Sequence, residues 1–491
     1  MSRIQFNSSA LIAQNNLAKS NSDLQVRLER LSTGLQINSG ADNPAGLIIS
    51  QRLKSEISGV TQAINNAQQA TNVISTADAA LSQVSDLLTT IKGLTVEAAN
   101  TGAFSSQEIA ANQLQIDSAV QSITRIANST SFGGMQLLNG GLDFITSGVN
   151  AAKIQDVNVY GANFGTAATI PVTVEVLASA KTAGLFLSTY SAATTTSGQL
   201  LSSISFEVAG LSGTQSFTFA SGTHLSAVAD AINRASDATG VKATLASATN
   251  QTSGLVFSST SFGSNAFVSV TKLSGDTVFK TYDKKGGSSA TRDTGQDVLA
   301  LVNGNLALGD GREVSLHSTT LNVDMELTSA AAQTTGKNGT YSFTITGGGA
   351  RFQLGAEVDS NQQVGFGIQS TAASSLGNAT VGYLDSIVSG GANSLVAGNA
   401  QKASAIIDAA IDQISTLRGR LGAFEANTLQ TNIASQQTAL ENLTSSESQI
   451  SNADFAAETS NMTRDQILVQ AGTSVLATAN TTAQSVLKLL Q

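Results

Sequence analysis

From Leu53 onward an apolar or small side chain recurs at alternating steps of four and three: Leu53, Ile57, Val60, Ile64, Ala67, Thr71, Ile74, Ala77, Leu81, Val84, Leu88, Ile91 and Leu94. Steps of this kind hold one stripe on one side of a helix and form the seam of a coiled coil. About fifty such residues, at 1.5 Å each, make a rod about 75 Å long. No ordinary globular core needs one. Ser105 and Glu108 then supply the S-x-x-E pattern that opens a helix, and Ile109, Ile116, Val120, Ile123 and Ile126 stripe its face. It is expected to fold back on the rod.

Helical patterning frames both ends of the chain. Leu17, Leu24, Leu28 and Leu31 mark a first helix, which Gly34 and Gly40 interrupt. Asn43 followed by Pro44 restarts it, because an Asn side chain accepts an orphan amide and Pro suits the first helical turn. Near the other end Ile407, Ile411, Ile414, Leu417, Leu421 and Phe424 form a stripe that pairs with the rod, so the rod seam is expected to comprise Leu53, Ile57, Val60, Ile64, Leu81, Leu88, Ile91, Ile407, Ile411, Ile414 and Leu421. A last stripe runs Ile467, Ala471, Val475, Ala479, Val486 and Leu490. Between about 131 and 395 the period changes to two, as in ISFEV at 204–208, FTF at 217–219 and YSFTI at 341–345. Asn303-Gly304 reads as a hairpin turn, and Leu225, Val228 and Ile232 as one short helix. The expected fold is α+β: a long coiled-coil-like helical bundle from both chain ends, with a mainly β insert in the middle and the two termini side by side.

Composition narrows the function. Only 12% of the 491 residues are charged and 5% aromatic, with no Cys, no Trp and two His, His224 and His317. A triad needs a convergent histidine and zinc needs several good ligands. The chain supplies neither H-E-x-x-H nor a His-rich set, so no enzyme, metal or cofactor is expected. A formal charge of −9 and a pI near 4.8 argue against nucleic acid as a partner. No run of about 18 apolar residues is present for membrane insertion, and the start MSRIQFNSSALIAQNNLAKS lacks the basic and apolar regions of a Sec signal. An extracellular location would therefore use another route.

The two extreme helices are the informative feature. Each carries an apolar stripe and many small residues, and pairing one with the other covers one side of each. Small side chains such as Ala10, Ala13, Ala18, Ala471, Ala477 and Ala479 let further helices approach. The expectation is a homo-polymer in which sister copies cover what a single molecule leaves wet.

The residues then resemble a bacterial flagellin. The likeness is carried at one end by LSTGLQIN at 31–38, ADNPAGL at 41–47 and SFGGMQLL at 131–138. At the other it rests on LGA at 421–423, Ile450 with Asp454, Phe455, Ala456 and Glu458, QIL at 466–468, and Val486, Leu487, Leu489 and Leu490. FQLGA at 352–356 is similar to a strand that closes the rod domain, and residues 217–241 with GQDV at 295–298 are similar to the small insert module of flagellin and hook proteins. The resemblance implies an extracellular, tubular filament used for motility. Residues 1–41 and 455–491 would line its inner tube, 42–174 and 336–454 would form the rod, and 175–335 the variable solvent-facing insert. Gly34, Gly40, Asn43 and Pro44 would be the joint. The resemblance also implies type III export, with an export chaperone, cap and junction proteins as partners. A receptor-facing segment would comprise Thr90, Ile91, Lys92, Leu94 and Val96, but Thr90, Gly93 and Gln115 stand where activating members carry charge, which counts against receptor activation. A hook-filament junction protein sharing these ends, or a surface adhesin using the β insert, are the alternative readings.

Overall fold

The computed structural model describes residues 7–187, 198–200, 202–247, 254–275, 279–284 and 286–488, with side chains described as far as residue 481. Two compact units divide the chain: Met1–Thr71 with Gln353–Val358 and Phe424–Gln491, and Asn72–Phe352 with Asp359–Ala423.

Helix α1 spans Ser8–Thr33 and is capped by the Asn7 side chain, which accepts from the Ala10 N–H. It stops at Gly34, whose φ of 72° is open to a residue without a Cβ and whose N–H donates to Arg30 O. Helix α2, Pro44–Ala98, runs 55 residues, about 83 Å at the usual rise. Asn43 Oδ1 accepts from Gly46 N at 2.9 Å, and Pro44 occupies the first turn, where no N–H is required. Helix α3, Ser106–Ser129, opens on the full capping box of Ser105 and Glu108. Helix α4 is Leu225–Arg234, with the short α5 (Ser236–Thr239) and α6 (Ser329–Ala332) further on. Helix α7, Ala400–Phe424, passes through a π-helical turn at Glu425–Gln430 into α8, Thr431–Ser451. Helix α9 is Phe455–Lys488.

In the larger unit the seam of α2 is dry: Ile74, Ala77, Leu81, Val84, Leu88 and Ile91 have no exposed surface. Asp78 pairs with Arg418 at 2.8 Å and Lys92 with Asp408 at 2.5 Å, which sets α2 and α7 antiparallel. Along α7 the buried positions are Ala403, Ile406, Ile407, Ala410, Ile414, Leu417 and Leu421. Ile411, expected in the seam, is only half-buried. The smaller Ala410 falls on the three-four repeat instead, and Ile411 lies one residue off it. In the smaller unit Val60 and Ile64 are buried, whereas Leu53 and Ile57 are half-buried.

The β structure has two cores. An eight-stranded antiparallel sheet is ordered Phe144–Ser147, Thr340–Gly348, Ile170–Ala178, Leu299–Val302, Asn305–Asp310, Glu313–His317, Leu321–Leu327, Ile154–Ala162. Its inner face buries Val172, Val174, Val176, Val302, Val314, Val323 and Ile345. Asn303 and Gly304 both adopt positive φ, 50° and 79°, in the two-residue turn linking Leu299–Val302 to Asn305–Asp310. The second core lies between two four-stranded sheets and α4, around Phe206, Phe257, Leu185, Leu255, Val228 and Ile232. The span 175–335 contributes strands to both cores. Strand Ile170–Ala178 runs through the first boundary, and 299–327 return to the same sheet as 144–178. Only the stretch between Lys181 and Gln296, which exchange two backbone hydrogen bonds of 2.8 and 2.9 Å, builds a separate core.

Candidate assembly surface

Within the smaller unit α1 lies antiparallel against α9. Asn7 Nδ2 donates to Ala479 O at 3.1 Å, a Cβ on Gly472 would come within 3.2 Å of Leu17 Cδ1, and Arg27 reaches Glu458. On α1 the sheltered positions step by three and four through Ala10, Ala13, Leu17, Ser20, Leu24, Arg27 and Leu31. On α9 they step through Glu458, Met462, Asp465, Val469, Gly472, Leu476 and Ala479. Packing is close where Gly472 lets Leu17 approach.

One layer of this seam is charged. Glu458 and Asp465 are 7% and 4% exposed, and Arg27 and Arg30 both donate to Glu458 at 3.0–3.1 Å. Arg27 Nε stands 3.8 Å from Asp465 Oδ2, and neither atom makes a hydrogen bond. The exposed Arg464 Nε also stands 3.8 Å from Asp465 Oδ1, so each buried carboxylate has at least one guanidinium beside it. Burial without these partners would be prohibitive.

The expected stripe on α9 is not the one that meets α1. Ile467 is 62% exposed and Val475 57%, and Ala471 is exposed as well. Ala479 alone of the described members sits in the seam; the Val486 side chain and Leu490 lie outside the described residues. The true seam is offset because glycine and paired charges occupy places that an apolar template reserves for leucine. On α1 Leu17, Leu24 and Leu31 are half-buried in the seam, while Leu28, at 49% exposure, faces outward and Arg27 takes its place. Leu11, Ile12, Leu28, Ile467, Leu468 and Val475 thus form a second apolar set that the α1/α9 pair leaves wet.

Between α1 and α2 the chain is held by backbone and side-chain hydrogen bonds. Gly34 O accepts from Ala453 N at 2.9 Å, and Gln36 N donates to Ser451 O at 2.7 Å, so the chain leaving α1 is stitched to the chain entering α9. Asp42 Oδ2 accepts from Asn38 N, Ser39 N and Ser39 Oγ, bonds that hold its carboxyl below the usual range. Ile37 is buried at 7%, and a Cβ on Gly46 would come within 2.6 Å of Ile37 Cδ1. Gly40 does not take a positive φ. The left-handed bend belongs to Gly34 alone.

Within residues 90–96, Ile91 has no exposed surface and Lys92 is bound to Asp408 and Ser404. Thr90 and Val96 are exposed, Val96 at 59%, and Leu94 is half-buried. Elsewhere, a polar cleft of about 830 Å³ separates α7, through Asp412, Thr416 and Arg420, from Asp156, Asn158, Tyr160 and Asp324 on the eight-stranded sheet. The Arg420 guanidinium stacks 3.2 Å from the Tyr160 ring centre. Burial raises the Tyr160 phenol to about 12 and lowers Arg420 to about 10. Among the described residues no cluster of His, Cys, Asp or Glu is suited to a metal, and no helix is long and apolar enough to cross a membrane.

Family models match at three places: the bacterial flagellin N-terminal helical region at residues 4–142, the C-terminal helical region at 404–490, and the flagellin hook IN motif at 203–261. The chain is 30% identical over 512 residues to a flagellin of Salmonella typhimurium and 30% over 523 residues to a flagellin of Escherichia coli strain K12, in each case across 99% of both chains. It is 29% identical to the B-type flagellin of Pseudomonas aeruginosa, again across 99% of both.

Proposed function

The chain belongs to the bacterial flagellin family, and from that membership we propose that the outward faces of α1 and α9 are the surface through which its copies join. The protein is a structural subunit of the flagellar filament, and the matches favour this over a junction protein or an adhesin. Its work is mechanical.

The observation that supports this surface is the second apolar set. Leu11, Ile12, Leu28, Ile467, Leu468 and Val475 are each about half-exposed in the single chain. Burying side chains from that starting point contributes about 1 kcal/mol each. Several together reach the several kcal/mol that association must exceed. In this reading Leu17, Leu24, Leu31 and Ala479 hold the pair together. Leu28, Ile467, Ala471 and Val475 meet neighbouring copies. Gly34, Asn43 and Pro44 fix the turn between the inner and outer helical layers.

The same reading takes the subunit out of the cell through the flagellar type III apparatus. An export chaperone on α9 and the cap and junction proteins are its other contacts. A chain with no Cys and only Pro44 and Pro171 has few slow steps in refolding after passage.

Seeded polymerisation tests the surface. Filaments are dissociated by heat, cooled with seeds and pelleted. The Ile467→Asp, Val475→Asp double variant is expected to keep its helical circular dichroism as a monomer and to give no pellet. Pelleting at the wild-type level would remove the outward face of α9 from the contact; polymerisation by a chain lacking 456–491 would remove the terminal helix altogether.

A further inference from the structure

The eight-stranded sheet carries an apolar surface that its own fold does not use. Along Leu299–Val302 and Asn305–Asp310, Ala300 pairs with Ala307 and both face the core together with Val302. Alternation turns Leu299, Leu301, Leu306 and Leu308 to the opposite face. Leu301 pairs directly with Leu306, and Leu299 pairs with Ala178, beside Leu177. Exposure reaches 71% at Leu308, 65% at Leu306, 45% at Leu177 and 40% at Leu299.

Polar side chains border this group on both sides. Thr340 and Ser342 follow on the strand beyond Ile170–Ala178, and Ser315 and His317 on the strand beyond Asn305–Asp310. An antiparallel sheet with a wet face ordinarily places polar residues there. Five neighbouring leucines inside a polar border mark a contact surface instead.

The geometry points to a second copy of this chain as the occupant, met within the polymer; this inference rests on the filament reading above. The leucines present on the order of 400 Å², about half of what each partner of a free-standing complex contributes. The patch alone is too small to hold two molecules in solution. Once the terminal helices have joined the copies, a neighbour's approach is effectively intramolecular, and a small second contact closes without a new translational cost. Each copy carries a formal −9, and Glu175, paired with Leu301, and Asp310, two residues past Leu308, set carboxylates beside the patch, so the leucines and not charge attraction carry the contact.

The chain has no Cys, so Leu308→Cys places a single thiol in the patch. Its reaction with a bulky maleimide is followed in the monomer and in the pelleted polymer. Rapid labelling of the monomer with labelling about tenfold or more slower in the polymer is expected when a neighbour covers the site. Equal rates in both states overturn the inference, as does slow labelling already in the monomer. Leu306→Cys repeats the measurement. If both variants keep the monomer's circular dichroism yet fail to polymerise, the patch is required for assembly, which supports the inference. If the wild-type chain itself gives no pellet under seeding, the filament reading fails first, an outcome distinct from equal labelling in a polymer that forms.

Discussion

Asp143 shows what one residue costs this fold. It precedes the edge strand Phe144–Ser147, and its Oδ1 accepts from Phe144 N at 2.8 Å. Burial raises its pKa from 3.8 to about 6, with the nearby Asp156 charge adding to the rise. A raised folded pKa means that the folded state holds the proton more tightly than the unfolded chain. Below 3.8 both states are protonated and the site costs nothing. As pH climbs towards 6 the unfolded chain ionises first, so stability falls across that window and stays reduced above it. Asp143→Asn keeps an oxygen for the Phe144 amide and removes the charge. Its thermal midpoint by circular dichroism should exceed the wild type at about pH 7 and match it at about pH 3.5; a gap that persists at the acid end would show another cause. Residue-scale features set by local chemistry, such as the Asn43 cap, the Ser105 and Glu108 box and the Asn303-Gly304 turn, were legible in the sequence because each partner lies within three residues. Asp143 gave no such signal. Its burial comes from the sheet around it.

Among the elements, helices were easier to read than the faces they use. The positions of α1, α2, α3 and α9 follow from spacing and caps, but the α1/α9 seam contains Gly472, Asp465, Glu458 and Arg27, residues that a search for leucine spacing passes over. Their pairing joins positions more than 400 apart in the chain, such as Arg27 and Glu458, which no short window contains. The π-helical turn at Glu425–Gln430 went unseen for a different reason: it adds a residue to an otherwise regular stripe and has no side-chain signature. The charged layer gives the seam a test. Glu458→Ala leaves Arg27 and Arg30 sheltered without their shared acceptor, a loss of about 3 kcal/mol when a buried pair is broken. Amide exchange in α1 and α9 should quicken by about a hundredfold, since 1.4 kcal/mol is a factor of ten, while the α2 amides of 74–91 in the larger unit stay protected. Uniform loss of protection over the whole chain would mean that the layer acts on more than this pair.

For the whole molecule, the change from period three-and-four to period two located helix at the ends and sheet in the middle, and it reads directly from the sequence. The internal boundaries did not. A strand such as Ile170–Ala178 looks the same whether it belongs to an insert or to the sheet that receives one, because alternation reports a half-buried face and not the neighbour across it. Long-range pairing decides the matter. Strands at 299–327 return to those at 144–178, while the described strands between Lys181 and Gln296 pair among themselves around a core of their own. Since Lys181 and Gln296 exchange both backbone hydrogen bonds, their ends are already within reach of a tight turn, and a two-residue Asn-Gly link should join them once 182–295 are removed. The excision gives up the hydrogen bond that Ser264 N donates to Asp297 Oδ1 and the Phe262 contact with the larger sheet, a penalty of about 1 to 3 kcal/mol spread over an edge. The shortened chain should therefore keep its helical circular dichroism, unfold at a slightly lower temperature and still pellet under seeding. Collapse of the remaining β signal would show that the second core holds up the first, and loss of the pellet from a folded chain would move part of the assembly surface into the excised module.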